Sequence, residues 1–296
     1  MTVVLFQLAN GLVWGWVVAL VALGLSLIYG VLRVINVAHG AFYMLGAAVG
    51  VVLYEPLQSA LGNAPGAFAL VLVLSPLLVG AFGALLEATA LRPLVERGRW
   101  VMTIVTTFAL LLILQQGAQL LLPGVRSVPA PLAGGVELLG LRYPLYRLVL
   151  AGIAVLLIGL TALFLYKTRF GLWARAVRQD RELALSLGIP APWVYSGTFA
   201  LGTALAAAAG WLTAPVVSVD PRMGMDILLQ SFLVVIVGGL GSLRGAVVAA
   251  LLLRLAEGLF AVGFDPVSAR ALALFLMGAL LLWRPHGLFG REEVSS

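Results

Sequence analysis

Cysteine is absent from the 296-residue chain, which excludes a disulfide framework, an iron–sulfur cluster and a thiolate zinc site. Charge is scarce as well. Asp, Glu, Lys and Arg make up only 10% of the residues, where a soluble domain carries roughly a quarter. A water-soluble fold so poor in charge would expose wide apolar patches and aggregate. Lysine is nearly missing: of 18 basic residues only Lys167 is not arginine, which reads as genomic composition bias. With two histidines, no cysteine and few aspartates, the chain shows no plausible catalytic triad. No stretch is polar and long enough to form a soluble catalytic domain. No Lys or Arg precedes Arg33, so the first apolar stretch lacks the basic n-region of a cleaved signal peptide and is expected to be retained.

What is present is hydrophobic: 62% of residues, with a mean hydropathy of +1.10. Uninterrupted apolar runs such as Gly11 to Gly30, Ala67 to Ala90, Arg147 to Tyr166 and Val194 to Pro215 reach roughly the 20 residues that cross a bilayer core. In lipid each backbone amide needs a partner within its own segment, so these runs must be helical. The expected fold is an all-α polytopic membrane protein of eight or nine spans with Gly-rich breaks. The spans fall near 10–30, 37–54, 67–91, 102–122, 147–166, 193–214, 226–241, 246–262 and 270–284. Those at 226–241 and 246–262 read as shorter elements around a break, which leaves eight as the alternative to nine.

Basic residues give the orientation, because Lys and Arg concentrate in cytoplasmic loops. With the N-terminus outside, the cytoplasmic segments hold Arg33, Arg92, Arg97, Arg99, Lys167, Arg169, Arg175, Arg178, Arg181, Arg244, Arg284 and Arg291. The opposite side holds only Arg126, Arg142, Arg147, Arg222 and Arg270. The chain therefore reads N-out and C-in. The same rule accounts for the net charge of +6 and the pI near 10.2 without a nucleic-acid partner. The stretch Pro123 to Arg147 reads as an ordered exterior loop.

The segment 167–190 is too charged to span and too patterned to be a slack linker. Asp180 can cap a helix with Glu182 in its first turn, and Gly188 with Pro190 and Pro192 can stop it, leaving about two turns between. Leu183 and Leu187 share one face at i, i+4. So short a helix is not stable alone and needs something to dock on. Periodicity leaves open whether that is the membrane interface or a protein.

Residue order favours a protein. Gly171, Arg175-Ala176, Asp180, Glu182, Ala184 and Leu187-Gly188-Ile189 resemble the cytoplasmic signature of ABC importer permeases, most closely the branched-chain amino acid branch. In that family the segment is a coupling helix seated on the ATPase subunit. Ile35-Asn36-Val37-Ala38-His39-Gly40 is similar to an element of the family's first permease subunit. Asn36 can cap the second span, Gly40, Gly46 and Gly50 permit close helix approach, and His39 is either a proton or ligand group or an interhelical hydrogen bond at a break. Gly238-Gly239-Leu240-Gly241-Ser242-Leu243-Arg244-Gly245-Ala246 is similar to a third family element, with Arg244 where many relatives have Pro. It lacks the Gly-Lys-Ser/Thr ending of a phosphate-binding loop and follows a membrane span, so a tight helix reversal is expected instead. Weaker matches lie at 91–94, 221–224 and 284–290.

Three ionisable residues fall within spans: Glu87, Arg254 and Glu257. Glu87 is expected to snorkel to the interface, and Arg254 and Glu257 to pair at i, i+3. The resemblance covers nearly the whole chain. It implies one permease domain over 1–296 containing the coupling segment 167–190, and import of branched-chain or similar small apolar amino acids. The implied partners are a second permease, two ATPase subunits that bind the ATP, and an exterior substrate-binding protein. The chain itself would need no cofactor. Very similar relatives import urea or short amides, and a self-sufficient channel or an ion-coupled carrier are readings from other classes.

Overall fold

The computed structural model describes residues 2–138 and 141–290. The chain satisfies its backbone almost wholly with helices. In order these are α1 (Thr2–Leu32), α2 (His39–Leu61), α3 (Ala64–Leu86), a π-helical turn (Glu87–Leu91), α4 (Arg92–Glu96), α5 (Trp100–Leu121), α6 (Leu145–Lys167), α7 (Arg169–Gln179), α8 (Arg181–Ser186), α9 (Ala191–Thr213), α10 (Met223–Gly238), α11 (Leu243–Phe260) and α12 (Pro266–Trp283). A two-stranded hairpin, β1 (Gly135–Leu138) and β2 (Leu141–Pro144), lies in the loop between α5 and α6.

Several helix starts follow from local sequence. The Asn63 side chain accepts from Gly66 N ahead of α3, and Asp265 accepts from the amides of Val267 and Ser268 ahead of α12, each with Pro just inside. Bonds from the Ser268 hydroxyl and amide hold the Asp265 carboxyl below its ordinary range. Gly62, at φ 61°, ends α2. Between α1 and α2, Arg33 adopts φ 55°, a conformation uncommon for a side-chain-bearing residue.

Among the described residues six helices are long and apolar enough to cross a membrane, and α10 with α11, bent by 120° at their break, makes a seventh if taken as one span. The two segments expected at 226–241 and 246–262 are this bent pair. Helix α1 runs well past its expected start at 10, giving about 46 Å of helix over its 31 residues. Expected as a span, α9 is equally regular over 23 residues but rich in Ala, Gly and Thr, because most of its surface faces other helices.

Burial is arranged for lipid. Val17 to Leu25 of α1, Gly40 to Ala48 of α2 and Leu205 to Thr213 of α9 are all buried. By contrast α3, α5, α6 and α12 turn large side chains outward, among them Leu77, Ile113, Leu156 and Phe275. Hydrocarbon is as apolar as leucine, so packing and hydrogen bonds rather than hydrophobicity select the interior. Interior contacts therefore use small residues and buried polar pairs. A methyl group at Gly46 would collide with Ala207, and one at Gly40 with the Gly224 carbonyl. Ser75 Oγ donates to Gly46 O at 2.7 Å, Tyr146 OH to Leu212 O at 2.6 Å and Trp211 Nε1 to Phe68 O at 3.1 Å.

The two ends of the bundle differ. At one, the hairpin pairs Val136 with Tyr143 and Glu137 with Arg142, and exchanged hydrogen bonds between Arg126 and Val219, 3.0 and 2.7 Å, tie the loop to the α9–α10 connection. Tyr143 packs edge-on against Phe6 of α1. The other end gathers the close of α1, helices α7 and α8, the α10–α11 break and residues 284–290.

Gly46→Val should lower the thermal midpoint of the purified chain, since overpacking against backbone costs about 1–3 kcal/mol or more. Gly117→Ala, with open space around the added carbon, should leave it unchanged or raise it.

Candidate functional site

Helix α7 begins where Thr168 caps it, its hydroxyl accepting from Gly171 N at 3.4 Å. Gly171 is buried so closely beneath α6 that a methyl group there would collide with the Leu165 carbonyl. Arg175 Nη1 donates to that same carbonyl at 2.5 Å, satisfying one of the free carbonyls at the α6 C-terminus. Ala176 is half-buried beside the buried Val177.

Asp180 then caps α8, accepting from Leu183 N at 3.0 Å, with the exposed Glu182 in the first turn. Gly188 stops α8 at φ 80°. Its amide donates to Leu185 O at 3.0 Å and that of Ile189 to Ala184 O at 2.9 Å, the paired bonds of a left-handed helix stop. Ala184 is the one buried residue of α8, whereas Leu183 and Leu187 are 58% and 71% exposed. The face expected to dock is thus bare, and the helix is held by its other side. Arg181 pairs with Glu96 of α4 at 3.1 Å, an exposed contact of small energetic weight.

Arg178 connects this lever to the break. Its Nη1 donates to Gly241 O at 3.1 Å. Gly239 and Gly241 take φ 98° and 77°, which a side chain would strain, and Gly238 meets Gly245 so closely that neither has room for one. Ser242 caps α11 by accepting from Gly245 N at 3.1 Å. Arg244 lies in the first turn of α11, where Pro is also tolerated, so this departure leaves the reversal intact. Arg244 and Arg175 each stand about 6 Å from the Tyr166 ring centre (5.9 and 6.0 Å).

The C-terminal stretch completes the break. Leu288 N donates to Val237 O at 2.7 Å and Phe289 N to Gly238 O at 3.2 Å, so residues 284–290 form a strap that satisfies the last carbonyls of α10. The sequence showed only a weak match here. Its signal was Pro285, Gly287 and Gly290 after the last apolar run, a pattern that cannot continue the helix.

At the start of α2 two expectations part. His39 is fully buried and its Nε2 lies 3.0 Å from Val21 O, the interhelical bond at a break. Gly40 lies against Gly224 and Leu228 of α10. Asn36, however, does not cap α2. The capping position is Ala38, without a side-chain bond, and only the Asn36 backbone carbonyl is used, by His39 N at 3.2 Å. Asn36 is fully buried and, among the described residues, neither its Oδ1 nor its Nδ2 has a partner.

Glu87 also departs from expectation. It does not snorkel. It is 1% exposed, bonded to Arg92 Nη2 at 2.6 Å and to Ser196 Oγ at 2.7 Å, while Arg92 also reaches Ser196 and Pro192 O. The π-helical turn at 87–91 rotates the carboxylate toward α9. Arg254 and Glu257 pair as expected at 2.7 Å, but within a larger set that sequence reasoning missed. Gln230 accepts from Arg254, Arg270 approaches Glu257 at 3.4 Å, and Trp14 offers its ring to Arg254. These partners lie on three other helices, beyond the reach of local spacing.

A bundle of apolar helices with a hydrogen-bonded helix reversal and a capped amphipathic segment against it is the architecture of a multi-pass membrane protein. The sequence matches the family described as branched-chain amino acid transport system / permease component over residues 7–283, and the chain belongs to that family. It is therefore the permease subunit of a branched-chain amino acid ABC importer, a transport component and not a catalyst. It is 31% identical to the high-affinity branched-chain amino acid transport system permease protein BraD of Pseudomonas aeruginosa over 297 residues, covering 97% of this chain and 96% of that protein. LivH of Escherichia coli K12 is 29% identical over 298 residues, with the same coverages. The probable LivH of Methanocaldococcus jannaschii is 29% identical over 299 residues, covering 96% of this chain and 91% of that one. No solved structure matches the chain.

Leu288→Pro removes one strap donor and leaves the Val237 carbonyl unpaired, so the thermal midpoint should fall by the equivalent of about 1–3 kcal/mol. Leu288→Val keeps the donor and should stay close to the parent.

Proposed function

We propose that the chain forms one half of the translocation path, working with a second permease, two ATPase subunits and an exterior substrate-binding protein. The residues 167–190 act as its coupling segment within one permease domain over 1–296. The observation that carries this reading is the lever itself. Helix α8 is capped at both ends, bare on its Leu183–Leu187 face, and follows directly on α7, whose Arg178 bonds to the α10–α11 break. ATPase closure against that face would move Arg178 and with it the Gly241 carbonyl. A flexible loop could not transmit such a push.

The orientation that supports this is N-out and C-in, with the lever in the cytoplasm beside the remaining arginine-rich loops. Of the basic residues behind it, Arg291 lies outside the described residues. We count nine crossings: the six long apolar helices, α9, and α10 and α11 separately. Counting the bent pair as two is supported by α11 running back along α1, with Arg254 beside Gly11, Gly258 beside Gln7 and Gly30 beside Gly241.

Asn36, His39 and Gly40, with Gly238, Gly239, Gly241 and Ser242, form the two irregular backbone breaks and are assigned to the gated part of the path. Irregular backbone at membrane depth is tolerated where it is buried in protein or lines a cavity. A buried amide with no partner adds nothing to stability, so a transport role for Asn36 is separable from a structural one.

Asn36→Leu should leave the thermal midpoint unchanged or higher while lowering transport. In the assembled importer, Leu183→Asp with Leu187→Asp should reduce recovery of the ATPase at least about tenfold, corresponding to roughly 1.4 kcal/mol or more. ATP-driven leucine uptake by that complex in proteoliposomes should exceed urea uptake. Failure of the chain to co-purify with any ATPase from its native membrane, or solute flux through the chain alone, would overturn the reading.

A further inference from the structure

Between the outer-end halves of α1, α10, α11 and α12 lies an open cleft of about 480 Å³, in the range of small-molecule sites. Its polar floor is the Arg254 set. Two guanidinium groups, Arg254 and Arg270, share one carboxylate, that of Glu257, at 2.7 and 3.4 Å. Gln230 adds a neutral acceptor. Taken without Asp226 of the opposite wall, the set holds two positive charges against one negative, and Arg254 is only 8% exposed. A buried charge without full compensation is costly and attracts an anion. Arg254 Nε is buried and has no partner among the described residues. Arg270, half exposed, presents its guanidinium to the opening.

Asp226 lines the same cleft from the first turn of α10, exposed and with no ion pair among the described residues. Trp14, Met223 and Ile227 supply apolar wall between the cationic floor and this carboxylate. Two guanidinium groups sharing one carboxylate, an unpaired carboxylate among the described residues and an apolar surface within one small cleft match a solute that bears all three complements.

We propose that this cleft is the chain's own binding site for a zwitterionic, apolar amino acid. The solute carboxylate is taken by Arg270, with Arg254 behind it adding positive charge, the ammonium by Asp226, and the side chain by the Trp14–Ile227 wall. Charge-assisted bonds of a guanidinium to a carboxylate are strong and geometrically selective, so the site would choose amino acids over neutral amides. This deepens the function proposed above and rests on it. Apart from its importance for selection, the site would give solute released from outside a first foothold at the mouth of the path.

Saturation-transfer NMR on the full chain in nanodiscs tests it, with L-leucine, 4-methylpentanoate (no ammonium), 3-methylbutylamine (no carboxylate) and urea as probes. Leucine should bind about tenfold or more tightly than either truncated analogue, and urea should not compete. Arg270→Gln should erase the preference for leucine over 3-methylbutylamine but keep that over 4-methylpentanoate, and Asp226→Asn should do the reverse. Both residues are on the surface of the cleft, so these variants should fold, which matched thermal midpoints would verify. Equal signals from all three probes, variant-independent preferences, or competition by urea would overturn the site. Leucine uptake by the assembled importer separates the two claims. Uptake without any dependence on Arg270 or Asp226 sinks the site alone, whereas uptake of urea in place of leucine sinks the proposed function and the site with it.

Discussion

A helix interrupted where the protein buries its backbone leaves carbonyl and amide groups that must find partners within the chain, and this constraint governs the α10–α11 break. Every carbonyl from Ile236 to Gly239, and that of Gly241, has a donor in the structure. Ile236 and Gly239 are served from within the turn, Val237 and Gly238 by the C-terminal strap, and Gly241 by Arg178. Three parts of the chain far apart in sequence thus meet at one reversal. Arg178, the strap and the break are thereby bonded into one unit, and displacing Arg178 or the strap would leave a carbonyl of the break without its donor.

The close-packed interior follows from the lipid solvent. Where lipid supplies no hydrophobic drive between helices, association depends on contact distance and on polar pairs. Gly46 against Ala207, Gly40 against Gly224 and Gly238 against Gly245 bring backbones together. Tyr146, Trp211 and Ser75 then bond across the resulting gaps. The outer helices α3 and α6 take part through one face, as Ser75 and Tyr146 show, and carry leucine and phenylalanine outward on the other. A surface that carries large apolar side chains as freely as the interior departs from the pattern of a water-soluble protein.

Much of the organisation was legible along the chain, since its signals are local. Asp180, Gly188 and the prolines beyond act within a few residues of where they stand, and the lever they delimit lies where they imply. Ser242 and the glycines of the break also act locally. Two readings failed for lack of that locality. Asn36 has the chemistry of a cap, but the capping position falls to Ala38. Glu87 has the position of a snorkelling residue, but one π-helical turn rotates it onto Arg92 and Ser196. The pairing of Arg254 with Glu257 was visible at i, i+3, whereas Gln230, Arg270 and Trp14 join it only through helix packing.

The sequence by itself determined that the chain is a bundle of membrane-crossing helices, where its lever begins and ends, and which glycines must reverse the chain. Each of these depends on hydropathy or backbone geometry over a short window, where residue type acts directly. Only the tertiary structure decided what the lever touches, that the C-terminal stretch is a strap, and that charges from separate helices surround one cleft. Those features depend on groups brought together from distant positions, and no local pattern in the chain encodes which helix lies beside which.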